Sequence, residues 1–318
     1  MWLQYLFLVV ALVSTYKASK YLGDCTDELA RITAVNTLIR GLIIDAAASS
    51  FPEFATVIQG LIKGSFEIGL GTIAGSAIFN IMVIPAICAI AVKGLKVEKK
   101  IIFRDGLFYF LVVIIFIIIT SFGIIPDNPN YRFISALSGG IGVIVYIIYI
   151  IIMLLIFGGD KKNSAKKLRI RDWAIYGFKI VLSLFFIWLS TALVVSSSLK
   201  IAANWGVSEA LFGLLFLATS TSLPDLFISL NAAKRGDLNG AVANAFGSNV
   251  FDILICLGLP ILWRGGVEIK WSQSRPILIS LIIINVVIGY LMRDGKLSVK
   301  EGWTLVVLFL GWCIIMTI

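Results

Sequence analysis

Ser49-Ser50-Phe51-Pro52-Glu53, followed by Gly75-Ser76-Ala77-Ile78-Phe79-Asn80-Ile81, is answered later in the chain by Thr221-Ser222-Leu223-Pro224-Asp225 and Gly247-Ser248-Asn249-Val250-Phe251-Asp252-Ile253. The offset is 172 residues throughout, and no gap is needed. Glu53 to Asn80 and Asp225 to Asp252 are both 27 positions apart, and Gly41, Gly64 and Gly75 fall on Gly213, Gly236 and Gly247. Chance matching of apolar letters would not hold the polar ones in register. The chain carries an internal duplication.

The surroundings of the two copies set the class of protein. With 59% hydrophobic and 14% charged residues, and a mean hydropathy of +0.99, the chain has too little polar surface to cover a water-soluble globule of 318 residues. Apolar runs of the length a helix needs to cross the hydrocarbon recur from end to end, so helices, not alternating strands, are the spanning element. Ten spans are expected, at about 2–22, 36–62, 68–92, 101–125, 133–157, 173–199, 207–232, 239–263, 275–292 and 301–317. Met-Trp-Leu-Gln-Tyr at the start has no basic leader and no clear small-residue cleavage site, so the first run is expected to be a retained span.

The net charge of +9 suggests an acidic partner until the charges are placed. With the N-terminus outside, loops after odd-numbered spans collect 19 basic residues, among them Lys93, Lys96, Lys99, Lys100, Lys161, Lys162, Lys166, Lys167, Lys296 and Lys300. The other side receives six: Lys63, Arg132, Lys200, Arg264, Lys270 and Arg275. The positive-inside rule then puts both termini outside, in a cell membrane. The basic balance is topological, and no nucleic-acid partner is expected.

Cys25, Cys88, Cys256 and Cys313 are scattered with no Cys-x-x-Cys pair, and read as apolar packers. The chain has no histidine, which excludes a His proton relay, a Ser-His or Cys-His catalytic pair and the usual zinc spacings. There is no Gly-x-x-x-x-Gly-Lys-Ser/Thr loop, so ATP is not the expected energy source. No enzyme activity and no cofactor are expected.

The copies begin in the second and seventh spans. Five spans separate them, an odd number, so the second copy is inverted relative to the first. Inverted repeats are the ground plan of many secondary transporters, whose sites lie near the midplane on interrupted helices. The expected fold is an all-α polytopic membrane protein of ten transmembrane helices in two inverted five-helix repeats. The first repeat is 1–157 with its motif at 41–81, the second 173–318 with its motif at 213–253. A short hydrophilic cytoplasmic linker, 158–172, joins them and is too small for a regulatory domain.

Pro52 and Pro224 fall mid-span behind Ala46-Ala47-Ala48-Ser49-Ser50 and Ala218-Thr219-Ser220-Thr221-Ser222. Each proline removes a backbone donor, so each span should kink or unwind there and leave carbonyls beside hydroxyls. Hydroxyls alone also serve helix packing. The carboxylates argue for more: an aspartate at a span centre costs about 2.5–3.5 kcal/mol, so Glu53, Asp225 and Asp252 together cost on the order of 8–10 kcal/mol if Glu is similar. Ser76 with Asn80 and Ser248 with Asp252 are i,i+4 pairs on one helix face. Four helix faces thus offer oxygen to one centre. Arg40 and Asp45 are further charges in the second span, either paired with one another or, for Asp45, near the outer end of the site.

Every polar group in this constellation is a carboxylate, amide or hydroxyl. Hard cations take such ligands, and Ca²⁺ accepts six to eight oxygens at about 2.3–2.6 Å in irregular geometry. Glu53 and Asp225 can neutralise one divalent ion, and the same hollow can hold several Na⁺ instead.

These motifs resemble the two alpha-repeats of the cation/Ca²⁺ exchanger superfamily, most nearly the Na⁺/Ca²⁺ exchanger branch. The likeness extends to ten spans, the inverted arrangement and the cytoplasmic link. The resemblance implies that Glu53 and Asp225 are shared Ca²⁺ and Na⁺ ligands, completed by Ser49, Ser50, Thr221 and Ser222. It makes Ser76 and Ser248 hydroxyl ligands towards the inside, Asn80 and Asp252 the remaining polar corners, and the carbonyls of Ala46 and Ala218 ligands of Na⁺. The chain departs from the family pattern at Ala48 and Ser220, where glycine is usual, at Asp225 in place of the Glu common in prokaryotic members, and at Ala77 and Thr72, where Asn is frequent.

The expected function is secondary antiport of Na⁺ against Ca²⁺ by alternating access, with the first and sixth spans sliding across a fixed core. The partners are Ca²⁺, Na⁺ and the bilayer, K⁺ is an open third ion, and a monomer is expected. A Ca²⁺/H⁺ exchanger is the nearest rival, although that branch resembles a Gly-Asn-x-x-Glu pattern at the kinks and this chain has two hydroxyls there. A cation channel and an intramembrane aspartyl hydrolase are more remote.

Overall fold

The computed structural model describes residues 2–33, 44, 46–121, 128, 130–157 and 169–317. Its elements run α1 (Trp2–Ile32), α2 (Ala46–Ser49), α3 (Phe51–Ile62), α4 (Phe66–Ala91), β1 (Leu95–Lys96), α5 (Lys99–Ser121), β2 (Tyr131–Ser135), α6 (Ala136–Phe157), α7 (Ile170–Trp205), α8 (Glu209–Thr221), α9 (Leu223–Lys234), α10 (Leu238–Arg264), β3 (Gly266–Lys270), α11 (Trp271–Leu291), β4 (Lys296–Leu297) and α12 (Val299–Thr317). Among the described residues, seven helices are long and apolar enough to cross a bilayer, and the bent pair α8–α9 makes an eighth. The chain is a multi-pass membrane protein. Length and composition do not reach the expected ten: α1 carries Lys17, Lys20 and Asp24 in its length, and α3 has 12 residues. Arg40, Asp45, Gly41 and most of the linker lie outside the described residues.

Burial sorts the helices into layers. In α4, 83% of the most apolar stretch is buried, and in α10, 72%; α12 at 11% and α5 and α6 at 22% turn most of their apolar side chains outward to lipid. A helix apolar on all sides belongs at the centre of a membrane bundle, and α4 is that helix, packed against α3, α8, α9, α10, α11 and α12. The long helices α1 and α7 pair with one another beside this core.

Small residues set the closest approach between the two sequence copies. Gly71 and Gly75 of α4 form a Gly-x-x-x-Gly ridge laid against α8, where a side chain on Gly71 would strike Ala210 and one on Gly75 would strike Leu214 and Ala218. From the other side, Gly213 of α8 meets Ile68 and Thr72 of α4. Without lipid-excluding drive between helices, this contact is what backbone proximity and dispersion supply.

The two spans that carry the duplicated proline are interrupted where the sequence predicts. The chain breaks at Ser50 (φ −90°, ψ 3°) between α2 and α3, and at Ser222 (φ −81°, ψ −2°) between α8 and α9, with α8 and α9 bent by 40°. Pro52 and Pro224 fall in the first turn after the break, where a helix has no use for their missing N–H. The turns after α3 and α9 also match, since Gly64 (φ 78°) and Gly236 (φ 88°) both adopt the left-handed conformation that glycine takes without strain.

Two departures from an all-helical reading join distant loops. Leu95 and Lys96 pair antiparallel with Leu297 and Lys296, and Tyr131–Ser135 pairs antiparallel with Gly266–Lys270. Each ribbon takes one strand from each half of the chain. The sequence carried no turn signal for them because the partners are over a hundred residues apart.

Candidate cation site

The breaks at Ser50 and Ser222 bring α2, α3, α8 and α9 end to end beside α4 and α10, and the twelve residues expected to line a site all come to that region. Ala46, Ser49, Ser50, Glu53, Ser76, Asn80, Ala218, Thr221, Ser222, Asp225, Ser248 and Asp252 are all buried, none more than 3% exposed. Three carboxylates held away from water are costly unless something opposite in charge joins them.

The two copies interleave. Ser49 of the first lies beside Asp225 of the second, and Thr221 of the second lies beside Glu53 of the first. Ser222 Oγ donates to Ser76 Oγ at 2.8 Å, and Ser76 Oγ donates to Asp252 Oδ2 at 3.4 Å. Asn80 Nδ2 donates to Asp225 Oδ2 at 3.3 Å and to Asn249 Oδ1 at 3.0 Å.

The symmetry stops at the acids. Asp225 receives Ser248 Oγ at 2.9 Å as well as Asn80. Glu53 receives nothing: both its carboxylate oxygens are buried without a hydrogen-bond partner. The position that matches Asn80 in the second copy is Asp252, and where Asn80 offers Asp225 a proton, Asp252 offers Glu53 a second negative charge. Thr221 gives no relief, because its hydroxyl donates to the carbonyls of Leu217 (3.1 Å) and Ala218 (3.3 Å). Ser50 Oγ, Asn80 Oδ1 and Asp252 Oδ1 are also unpartnered. Buried oxygens without donors carry a cost that a bound cation would relieve.

The carbonyls of Ala46 and Ala218 are already in use. Ala46 O accepts Ser50 N–H at 3.0 Å and Ser49 Oγ at 3.3 Å, and Ala218 O accepts Ser222 N–H at 3.0 Å besides Thr221. An ion at either carbonyl competes with the hydroxyl beside it. Among the described residues, no three carboxylate or thiol groups already form a closed metal cluster. The donors on offer are single carboxylates spaced by hydroxyls and amides, the donor set of a hard cation.

Two residues of the site were missed in the sequence. Asn249 Nδ2 donates to the carbonyl of Ala77 at 3.0 Å while its Oδ1 holds Asn80, so it orients the amide that serves Asp225. Its place inside the second motif, between Ser248 and the Asp252 face, was the available signal. Cys256 was read as an apolar packer, which suits Cys88. Cys256 instead points its thiol at the carbonyl of Ser50, 3.7 Å away. It sits in a π-helical stretch of α10, Asp252–Leu257, a wide turn of the kind that recurs at functional sites.

A broken-helix membrane fold around a buried, acid-rich cluster of oxygen donors has the chemistry of an ion-transport protein. The chain belongs to the sodium/calcium exchanger protein family, whose model matches residues 3–156 and 176–318. It is 22% identical over 345 residues to the sodium/calcium exchanger MaX1 of Methanosarcina acetivorans, covering 98% of each chain. Among solved structures it is similar to the sodium-calcium exchanger NCX_Mj, with 25% identity, a TM-score of 0.63, and coverage of 97% of this chain and 96% of that one. It also shares the fold of the H⁺/Ca²⁺ exchanger CAX, with 15% identity, a TM-score of 0.77, and coverage of 98% and 82%.

Proposed function

We propose that the protein is a secondary antiporter that exchanges Na⁺ for Ca²⁺ across the membrane, with both ions competing for the hollow between Glu53 and Asp225. The observation that carries this reading is the fully buried Glu53 carboxylate with neither oxygen partnered, on which the charge of Asp252 also acts. One Ca²⁺ neutralises Glu53 and Asp225 together, and several Na⁺ do the same from separate hydroxyl-lined positions. In this reading Ser49, Ser50, Thr221 and Ser222 complete the outer positions, Ser76 and Ser248 the inner ones, Asn80 and Asp252 the centre, and Ala46 and Ala218 contribute carbonyls once their hydroxyls turn to the ion. The empty site carries uncompensated charge in a low-dielectric core, so crossing without cargo is disfavoured and exchange is obligatory.

The proposed frame is two inverted five-helix repeats, 1–157 and 173–318, linked through 158–172 on the cytoplasmic side with both termini outside. Matching breaks at Ser50 and Ser222, matching turns at Gly64 and Gly236, and two ribbons that each join one half to the other support it. The excess of basic residues in alternate loops supports the orientation.

Proton coupling is the second reading, favoured by one feature: both oxygens of Glu53 and Oδ1 of Asp252 lack donors, the charge of Asp252 acts on Glu53, and a proton on either would relieve them. The hydroxyl pairs at both breaks favour Na⁺. The two are separated by ⁴⁵Ca²⁺ uptake into proteoliposomes under an outward Na⁺ gradient and, separately, a pH gradient. Uptake with the Na⁺ gradient alone is expected, and uptake with the pH gradient alone would move the protein to proton coupling.

A further inference from the structure

Lys96 and Lys296 stand directly opposite one another in the short ribbon between β1 and β4, both of them exposed. Like charges in that position repel. Two more cations flank the ribbon. Lys99 lies against Gly295, where a side chain on that glycine would stand 3.5 Å from the Lys99 Cγ, and Arg293 sits over the ring of Tyr290 at 4.0 Å. Among the described residues, none of these four cations forms an ion pair. The acids close by are engaged elsewhere: Glu98 accepts the amide of Asn239 at 2.9 Å, Asp294 the N–H of Lys296 at 3.0 Å and Glu301 the N–H of Ser298 at 2.7 Å.

Arg293 also lines the mouth of a crevice of about 260 Å³ between α5 and α11. Its walls are apolar, from Phe103 and Phe110 of α5 to Val286 and Gly289 of α11, apart from Arg293 and Asn285. Asn285 lies about 12 Å further along α11 and donates its amide to Tyr109 Oη of α5 at 3.4 Å, which marks the far end. Gly289 keeps the space between them open, since an added side chain there meets no atom within 4 Å. An apolar slot that ends in unpaired cations matches a lipid whose acyl chain is continuous with an anionic phosphate.

We propose that this crevice seats an anionic phospholipid, with one acyl chain between α5 and α11 and the phosphate among Lys96, Lys99, Lys296 and Arg293. A phosphate there relieves the repulsion between the facing lysines, and the chain packs against side chains from both halves of the protein. Phosphatidylcholine carries its own ammonium beside the phosphate and brings these cations no net charge. The inference is independent of which cations the protein carries.

The test uses the purified full-length protein, stripped of lipid in detergent and titrated with phosphatidylglycerol or with phosphatidylcholine of the same chains. Bound lipid is counted by native mass spectrometry, and the melting transition is followed in parallel. Glycerol phosphate, a headgroup without chains, forms a third arm. Arg293→Gln and the Lys96→Gln, Lys296→Gln pair remove charge, whereas Gly289→Leu and the smaller Gly289→Val fill the crevice and leave every cation in place. Each variant is first shown to melt cooperatively without lipid. Wild type should hold one phosphatidylglycerol in preference to phosphatidylcholine and melt at a higher temperature with it. Binding should weaken by roughly fivefold for each basic side chain removed. Both Gly289 variants should lose the preference as well. Equal retention of the two lipids by wild type, or a preference unchanged in the charge variants, overturns the proposal. A preference that survives in both Gly289 variants, or a glycerol phosphate that binds as tightly as the lipid, overturns the crevice as the seat.

Discussion

Asn249 donates its side-chain amide to the backbone carbonyl of Ala77 at 3.0 Å, and the two residues hold the same position in the two copies of the duplicated motif, 172 residues apart. Equivalent positions touch, so the copies meet face to face at the site. The departure at Ala77 also acquires a physical meaning. Two asparagines here would bring two amides to one crossing; with alanine on one side, Asn249 reaches the Ala77 carbonyl on its helix α4 as a second donor.

Asn249→Ala should therefore do more than remove one side chain. It removes the side-chain bond to the Ala77 carbonyl, which keeps its partner within helix α4, and frees Asn80 from the acceptor that aims it at Asp225. A loss of about 1–3 kcal/mol of stability is expected, together with weaker Ca²⁺ uptake. Melting in detergent and the KM for Ca²⁺ check the two parts, and an unchanged KM would show that Asn80 needs no such support.

The duplicated glycines should respond unequally. A methyl group on Gly75 runs into Leu214 and Ala218 of α8, whereas one on Gly247 meets no atom within 4 Å. Gly75→Ala should destabilise by about 1–3 kcal/mol through overpacking, while Gly247→Ala should be neutral or gain up to about 1 kcal/mol from helix propensity. Melting temperatures of the two variants decide it; equal losses would contradict the packing described for α4 and α8.

The motifs were legible because polar residues inside apolar spans stand out and keep their register over 172 positions, and because proline announces a break. All twelve expected residues reached one buried region for that reason. Cys256 escaped notice because a cysteine in an apolar helix reads as packing, and its approach to Ser50 depends on a tertiary crossing at a π turn that no residue type signals. The prior use of the Ala46 and Ala218 carbonyls was equally hidden, since the neighbouring hydroxyl chooses its acceptor only in three dimensions. The ribbons between β1 and β4 and between β2 and β3 rest on two to five residues each, too few to leave a pattern.

Glu53→Gln separates the charge from the shape of the site. A glutamine keeps the volume but removes the charge that faces Asp252, so in cation-free buffer the variant should be at least as stable as wild type. Ca²⁺ at a hundred times its dissociation constant should raise wild-type stability by about 2.7 kcal/mol and leave Glu53→Gln unmoved. Thermal melts with and without Ca²⁺ give both numbers, and a full Ca²⁺ shift in the variant would take Glu53 out of the site.

In the proposed exchange, Na⁺ and Ca²⁺ compete for the carboxylates of Glu53 and Asp225. Equilibrium binding of ⁴⁵Ca²⁺ to the purified protein, titrated with Na⁺ at constant ionic strength, tests it most directly, with Glu53→Gln and Asp225→Asn alongside. Na⁺ is expected to displace Ca²⁺ steeply, with more than one Na⁺ per Ca²⁺, and both variants are expected to fail to bind. Ca²⁺ binding that is indifferent to Na⁺, or that survives in either variant, would contradict it.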